Sequence, residues 1–187
     1  MVDEGRRARF EELAPALIEP LRRFLVRRTD AATADDVLAD TLLVCWRRVD
    51  ELPDEPLPWA YAVARNCLAN AERGARRQRR VAVRIATLDP PSESVPTALA
   101  EPTSPTDSLA DALTDALARI RPEEAELLRL WAWEQLAPAE IAVVLTITPN
   151  AASIRLHRAR HHLKEILEER KTSPAAGHEE SREGRDR

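Results

Sequence analysis

Phe10, Leu13, Ala14, Leu17, Ile18, Leu21, Phe24 and Leu25 recur at intervals of one, three and four, the spacing that lines up side chains along one face of a helix. A second apolar run holds Val37, Leu38, Leu42, Val44, Cys45 and Val49. It follows Thr33 to Asp36, which has the form of a capping box with Asp in place of the usual Glu or Gln, so a helix is expected to begin there. Pro53, Pro56 and Pro58 interrupt the pattern, and Pro58 suits the first turn of a third helix. That helix is expected to bury Trp59, Ala60, Val63, Ala64, Cys67 and Leu68, and to stop or bend near Gly74. Further on, Ser108 is placed to cap a helix carrying Leu109, Leu113, Leu117 and Ile120. Pro122 opens the next helix with Glu123 and Glu124 in its first turn, where the macrodipole favours acids. Its apolar face is expected to be Leu127, Leu128, Leu130 and Trp131. Pro138 opens a short helix ending near Leu145. After a gap at residues 146–148, Pro149 opens a long helix to about Glu169.

Between the two sets of helices, residues 89–106 hold five prolines among Ser, Thr and acids, a composition no helix tolerates. The expected fold is therefore all-α: two small helical domains, residues 1–86 and 109–172, joined by a Pro-rich acidic linker at 87–108, with a disordered polar tail at 173–187. Composition agrees. Only 4 glycines in 187 residues argue against Gly-rich phosphate loops and sheet-rich folds, and 44% hydrophobic residues suffice for a core. Two cysteines cannot build a disulfide framework or a four-thiolate zinc site. No apolar run approaches the roughly 18 residues of a membrane span, and the acids in the opening residues do not suit a signal peptide. A cytoplasmic location with reduced thiols is expected.

The formal net charge of −4 hides a segregation of sign. Residues 87–108 carry four acids and no base, whereas residues 65–84 carry seven arginines against one acid, Glu72. Charge acts locally, within a Debye length of about 8–10 Å, so the acidic total does not exclude a nucleic-acid partner. Residues 138–163 have the lengths of a helix-turn-helix, and the second helix carries Arg155, His157, Arg158, Arg160, His161, His162 and Lys164 with no acid from Thr148 to Lys164. An acid-free basic face suits proximity to phosphate, where an ordinary solvated helix mixes signs. In the first half, Asn66 and Asn70 share a helix face beside Arg65, Arg73, Arg76 and Arg77. Asn can bond base edges and Arg can hold phosphate, while Trp59 and Tyr61 are placed to support or stack on bases. The competing reading is a basic solvated helix with Trp59 in the core.

Enzymatic readings find little support. His157 and His161 stand at i and i+4, but no zincin-type Glu lies between them and the surrounding cations repel a metal. Cys45 and Cys67 fall on apolar faces, as buried thiols do. Asp35 with Asp36 more simply begins a helix, and Asp54 with Glu55 lies in a Pro-rich loop. No catalytic residue, metal or cofactor is expected.

From Phe10 to Leu167 the chain resembles an extracytoplasmic-function (ECF) sigma factor of the bacterial sigma-70 family. Residues 34–47, ADDVLADTLLVCWR, resemble the family's core-polymerase-binding helix. Residues 59–70, WAYAVARNCLAN, resemble its promoter-melting helix. Residues 136–145, LAPAEIAVVL, followed by RLHRAR at 155–160, resemble its C-terminal helix-turn-helix. Ala39 and Leu42 depart from the family's usual Gln and Phe. Thr146 stands where Gly is usual, and because a β-branched residue is costly at positive φ, another turn geometry is expected there. Ala152, Ser153 and Ile154 replace a common Val, basic residue and Ser, which suggests an altered promoter sequence.

The resemblance implies a sigma factor that binds core RNA polymerase and directs promoter-specific initiation. Asp36, Asp40, Leu43, Trp46 and Arg47 would bind core polymerase. Trp59, Arg65, Asn66, Asn70, Arg73, Arg76 and Arg77 would engage the minus-ten element, with the asparagines reading an unstacked base and residues 50–57 walling its pocket. Ser153, Ile154, His157 and Arg158 would read the minus-thirty-five element, with Arg155 and Arg160 on phosphate or in packing. Core polymerase and promoter DNA are the implied partners, and the family adds an anti-sigma protein as a candidate. The alternative is a stand-alone helix-turn-helix repressor or activator whose first half dimerises or senses.

Overall fold

The computed structural model describes residues 2–88 and 116–172. Six helices carry the described architecture: α1 (Val2–Val26), α2 (Ala31–Arg47), α3 (Leu57–Leu88), α4 (Pro122–Ala132), α5 (Pro138–Leu145) and α6 (Pro149–Thr172). A 3₁₀ turn, Val49–Glu51, follows α2, and residues 116–119 are also helical. Among the described residues there is no strand.

In the first half α1, α2 and α3 pack on one another around Leu17, Leu21, Phe24 and Leu25 from α1, Val37 and Cys45 from α2, and Ala60, Ala64 and Leu68 from α3. Helix α1 runs unbroken through Pro15 and Pro20. Each proline removes one backbone hydrogen bond, a loss of about 3 kcal/mol or more in an isolated helix. Burial of four large apolar side chains, at about 1.5–3 kcal/mol each, offsets it.

Helix α2 begins at Ala31, two residues before the expected capping box. Asp30 is the actual N-cap: its carboxylate accepts the Thr33 N–H at 3.0 Å and the Thr33 hydroxyl at 2.8 Å. A carboxylate upstream of Thr33 takes the orphan N–H first, so the box at Thr33 never forms. At the other end of α2, Arg6 donates to the Arg47 carbonyl at 3.1 Å and Arg9 to the Leu52 carbonyl at 2.9 Å. Two α1 arginines thus tie down the entry to the loop of residues 50–57.

Helix α3 neither stops nor bends at Gly74; it continues to Leu88, two residues past the expected linker boundary. One glycine costs only about 1 kcal/mol, and the Ala and Arg neighbours are strong helix formers. In the second half, α4, α5 and α6 start at the three prolines named above. Leu127, Leu128 and Leu130 are buried as expected, but Trp131 is 39% exposed. The last helix passes Glu169 and ends at Thr172.

Thr146 adopts the left-handed conformation, φ 55° and ψ 47°, so the turn keeps the geometry that glycine would give and the expected alternative does not occur. The Ile147 N–H donates to the Ala142 carbonyl at 3.0 Å and the Thr146 N–H to Val143 at 3.3 Å, which closes the end of α5, while Ile147 packs against the core. These contacts hold the strained residue in place.

The halves are in contact. Helix α5 packs on α3, and the buried side chains of both halves form one continuous cluster. In the turn after α1, Arg28 pairs with Glu134 at 3.1 Å and Glu126 at 3.2 Å, and Arg27 pairs with Glu134 at 3.2 Å. The linker from residue 89, the cap at Ser108, the helix start at Leu109 and Leu113, and the tail at 173–187 lie outside the described residues.

Candidate nucleic-acid interface

On α3 the buried residues Ala60, Ala64 and Leu68 define one face. Trp59, Asn66, Asn70, Arg73 and Arg77 stand on the opposite face, at successive steps of seven, four, three and four residues. Asn66, Asn70, Arg73 and Arg77 are exposed, and Trp59 is half-buried beneath the Arg48 guanidinium, 5.4 Å from its ring centroid. At about 1.5 Å per residue this stripe is about 27 Å long. The Asn70 side-chain oxygen accepts a hydrogen bond from Arg73. That bond orients the amide and leaves its NH₂ available to an acceptor.

Arg65 and Arg76 are exposed but lie on the flank of α3, and Arg76 is paired with Glu72 at 3.0 Å. Tyr61 is only 3% exposed and packs against Phe24, ring centroids 5.0 Å apart. Burial first, and the charge of Glu134 second, push its hydroxyl up to about 12. Tyr61 is therefore a core residue and does not stack on bases, contrary to the expectation from sequence.

On α2, Ala34, Val37, Thr41 and Cys45 are buried, which turns Asp36, Asp40, Leu43 and Arg47 outward as a second exposed stripe. Trp46 departs from that stripe. It is half-buried, edge-on to Phe10 at 5.5 Å and beneath Arg6 at 5.9 Å. Burial pushes the Cys45 thiol up to about 11 and raises Cys67 as well, so both stay protonated at neutral pH.

On α6, Ala152, Leu156 and Ala159 are buried against the rest of the second half. Ser153, Ile154, Arg155, His157, Arg158 and Arg160 are all exposed. Thr148 Oγ1 accepts the Ala151 N–H at 3.2 Å and so starts the helix at the turn. Ile154 and His157 face away from the core. Arg160 lies 4.5 Å over the Trp131 ring, a packing role. Arg155 and Arg158 face the other way, into a cleft they share with Arg65 and Arg121 and with Glu123, Glu124 and Glu126 of α4. Hydrogen bonds from Arg121 and then from His162 hold the Glu124 carboxyl below its usual range.

His161 pairs with Glu165 at 3.2 Å. Among the described residues no three His, Cys, Asp or Glu side chains gather as a metal site, and no helix is long and apolar enough to cross a membrane. The expected sites thus appear as three surfaces: the α2 stripe, the α3 stripe and the outward side of α6. Arg27, Arg28, Glu126 and Glu134 escaped the sequence reading. Arg28 meets its two acidic partners 98 and 106 positions away, and no local pattern signals such a pairing.

Comparison with known proteins places these surfaces in a context. The family model described as sigma-70, region 4 matches residues 110–163. The ECF RNA polymerase sigma factor SigL of Mycobacterium tuberculosis is 32% identical over 167 residues, 87% of this chain and 89% of SigL. The RNA polymerase sigma factor CarQ of Myxococcus xanthus is 31% identical over 171 residues, 89% of this chain and 93% of CarQ. Among solved structures, the sigma factor RpoE of Bartonella quintana in complex with the anti-sigma factor NepR has a similar fold. Its TM-score is 0.55 at 19% identity, covering 84% of this chain and 95% of that one.

Proposed function

We infer the division of labour among these surfaces from one premise: the chain belongs to the ECF sigma factors of the bacterial sigma-70 family. It is a sigma factor that directs promoter-specific transcription initiation by core RNA polymerase. The repressor or activator alternative loses its ground, because the likeness to sigma factors spans 87% of the chain rather than the helix-turn-helix alone.

In our reading the first half, residues 1–86, binds core polymerase and opens the minus-ten element, and residues 109–172 read the minus-thirty-five element. The α2 stripe of Asp36, Asp40, Leu43 and Arg47 meets polymerase, with Trp46 fixing α2 on α1 from behind. The α3 stripe meets the separated strand. Arg73 and Arg77 hold phosphate, Asn66 and Asn70 read a base edge, and Trp59 with residues 50–57 walls the pocket. Extruding a base costs a few kcal/mol, which stacking and hydrogen bonds in the pocket must offset. On α6, Ser153, Ile154 and His157 read base edges in the major groove, and Arg158, turned into the cleft beside Arg155, is left to a neighbouring phosphate. The observation that carries this reading is the α3 stripe: two uncharged hydrogen-bonding residues, solvent-facing, framed by arginines and an aromatic ring.

The reading extends to a cytoplasmic, non-enzymatic protein whose activity an anti-sigma partner restrains. The test is initiation in a purified system. The chain added to core polymerase should yield transcripts from promoter templates, and Asp40→Arg, folded normally, should lower polymerase pull-down strongly, since like charges at an interface cost several kcal/mol. Undiminished polymerase binding by Asp40→Arg would remove the α2 stripe from the interface.

A further inference from the structure

The outward face of α6 begins with a residue that has no structural task. Ala152, Leu156, Ala159 and Ile166 are buried and fix the inner face of the helix. On the opposite face Asn150, Ile154 and His157 follow one another at steps of four and three, all of them exposed. Asn150 is the second residue of the helix. Asn near a helix start commonly caps it, but here Thr148 does so, its Oγ1 accepting the Ala151 N–H at 3.2 Å. Inside the helix Asn is a poor helix former. Among the described residues no hydrogen bond ties its amide to the protein. The amide therefore offers an acceptor and two donors to whatever α6 faces.

The face is selective through what it lacks. The commonest specific contact in a major groove is Arg or Lys on guanine O6 and N7. From Pro149 to His157 the sole arginine or lysine is Arg155, and it turns into the cleft together with Arg158. Arg160 lies over Trp131. Ser153 stands on the flank, and its hydroxyl donates to the Pro149 carbonyl at 3.0 Å, which leaves it only to accept. In the first two turns the groups that point straight outward are thus an amide and an aliphatic side chain. Asn pairs bidentately with adenine, donating to N7 and accepting from the N6 amino group. Ile154, 44% exposed, has no polar group to satisfy and suits the C5-methyl of thymine. Four residues rise about 6 Å along α6, less than two base steps of about 3.4 Å. In a helix-turn-helix the N-terminal residues of the second helix are the ones that reach base edges.

We propose that Asn150 is a specificity-determining residue that reads an adenine in the major groove, and that Ile154 packs on a thymine methyl within two base pairs of it. The minus-thirty-five element of this factor accordingly carries an adenine and a thymine at these two places, with no arginine-read guanine between them. The proposal rests on the assignment of α6 to the minus-thirty-five element.

Duplexes randomised over a promoter length, selected by the chain together with core polymerase, reveal the element. Wild type should enrich an adenine with a thymine within two base pairs. Asn150→Ala should fold normally, since Ala is the better helix former. It should lose the preference for that adenine about tenfold and leave the other positions and the minus-ten element unaltered. Asn150→Arg should move the same position to guanine. Single-atom probes in the selected duplex then test each contact. Replacing the adenine by 7-deazaadenine removes the N7 acceptor and should weaken wild type about 3- to 10-fold while leaving Asn150→Ala indifferent. Replacing the thymine by deoxyuridine removes the methyl and should weaken wild type about 3- to 5-fold while leaving Ile154→Ala indifferent. An unchanged element with Asn150→Ala, or equal losses on 7-deazaadenine in wild type and variant, would overturn the role of Asn150. Equal losses on deoxyuridine in wild type and Ile154→Ala would overturn that of Ile154. Failure of wild type to enrich any element upstream of the minus-ten would instead overturn the assignment of α6 itself.

Discussion

Thr146 shows how one strained residue is held by its neighbours. At φ 55° its β-branched side chain is poorly placed, and the residue is exposed. The left-handed conformation costs roughly 1–2 kcal/mol, and glycine would return part of that gain through its greater freedom in the unfolded chain. Thr146→Gly should therefore stabilise the protein by about 0.5–1 kcal/mol, seen as a higher urea midpoint at unchanged slope. A lower midpoint would mean that Thr146 makes a favourable contact this account lacks. The sequence marks Thr146 as unusual at its turn but leaves open which side yields, residue or geometry. The structure answers that the residue yields, because the bonds from Ile147 and Thr146 and the packing of Ile147 outweigh one strained φ.

At the scale of elements, helix starts were legible where they depend on proline and missed where they depend on competition. Pro122, Pro138 and Pro149 open α4, α5 and α6 as the pattern predicts, since a proline at N1 gives up an N–H that has no partner in any case. The start of α2 was misplaced because two caps compete within four residues and the carboxylate of Asp30 wins over the box at Thr33. The hydrogen bonds from the Thr33 N–H and then its hydroxyl lower the Asp30 pKa below the ordinary 3.8. A depressed folded pKa contributes stability that is present above the unfolded value and is lost as pH falls through the folded one. Between pH 7 and pH 3 the wild type should therefore lose more Tm than Asp30→Asn, which caps without a titrating group. Parallel Tm curves for the two proteins would show that the charge of Asp30 plays no part. Helix α3 outran its expected end at Gly74 because a single glycine cannot break a helix whose neighbours favour it so strongly.

At the scale of the whole molecule, five prolines and an absence of bases mark a break in the sequence between two helical stretches, but nothing in the sequence marks how those stretches pack on one another. That packing rests on pairs such as Arg28 with Glu134 and on the burial of α5 against α3, which join positions with no shared periodicity. The candidate site follows the same division. Which residues of α3 and α6 face outward is a matter of helical period and was readable, whereas the turning of Tyr61 and Trp46 into packing contacts depends on α1. Limited proteolysis in residues 89–106, where the sequence offers Pro-rich acidic chain, should give two fragments that stay together in low and high salt alike, because the contact between them is apolar and its ion pairs are buried and screened little. Fragments that separate at low salt would contradict the packing of the halves.

The central claim is that Asn66 and Asn70 select the promoter by reading an unstacked base while the arginines beside them supply affinity. Permanganate footprinting of the minus-ten region, with core polymerase and either Asn66→Ala or Arg77→Ala, tests it most directly. One base-edge contact is worth about 1–3 kcal/mol of discrimination. Asn66→Ala should lower open-complex formation roughly tenfold or more with Tm unchanged, and a premelted bubble should recover part of the loss because the base is already unstacked. Arg77→Ala should weaken all sequences alike and reduce the salt slope by about 1. Normal melting of the minus-ten region by a stably folded Asn66→Ala protein would contradict the account.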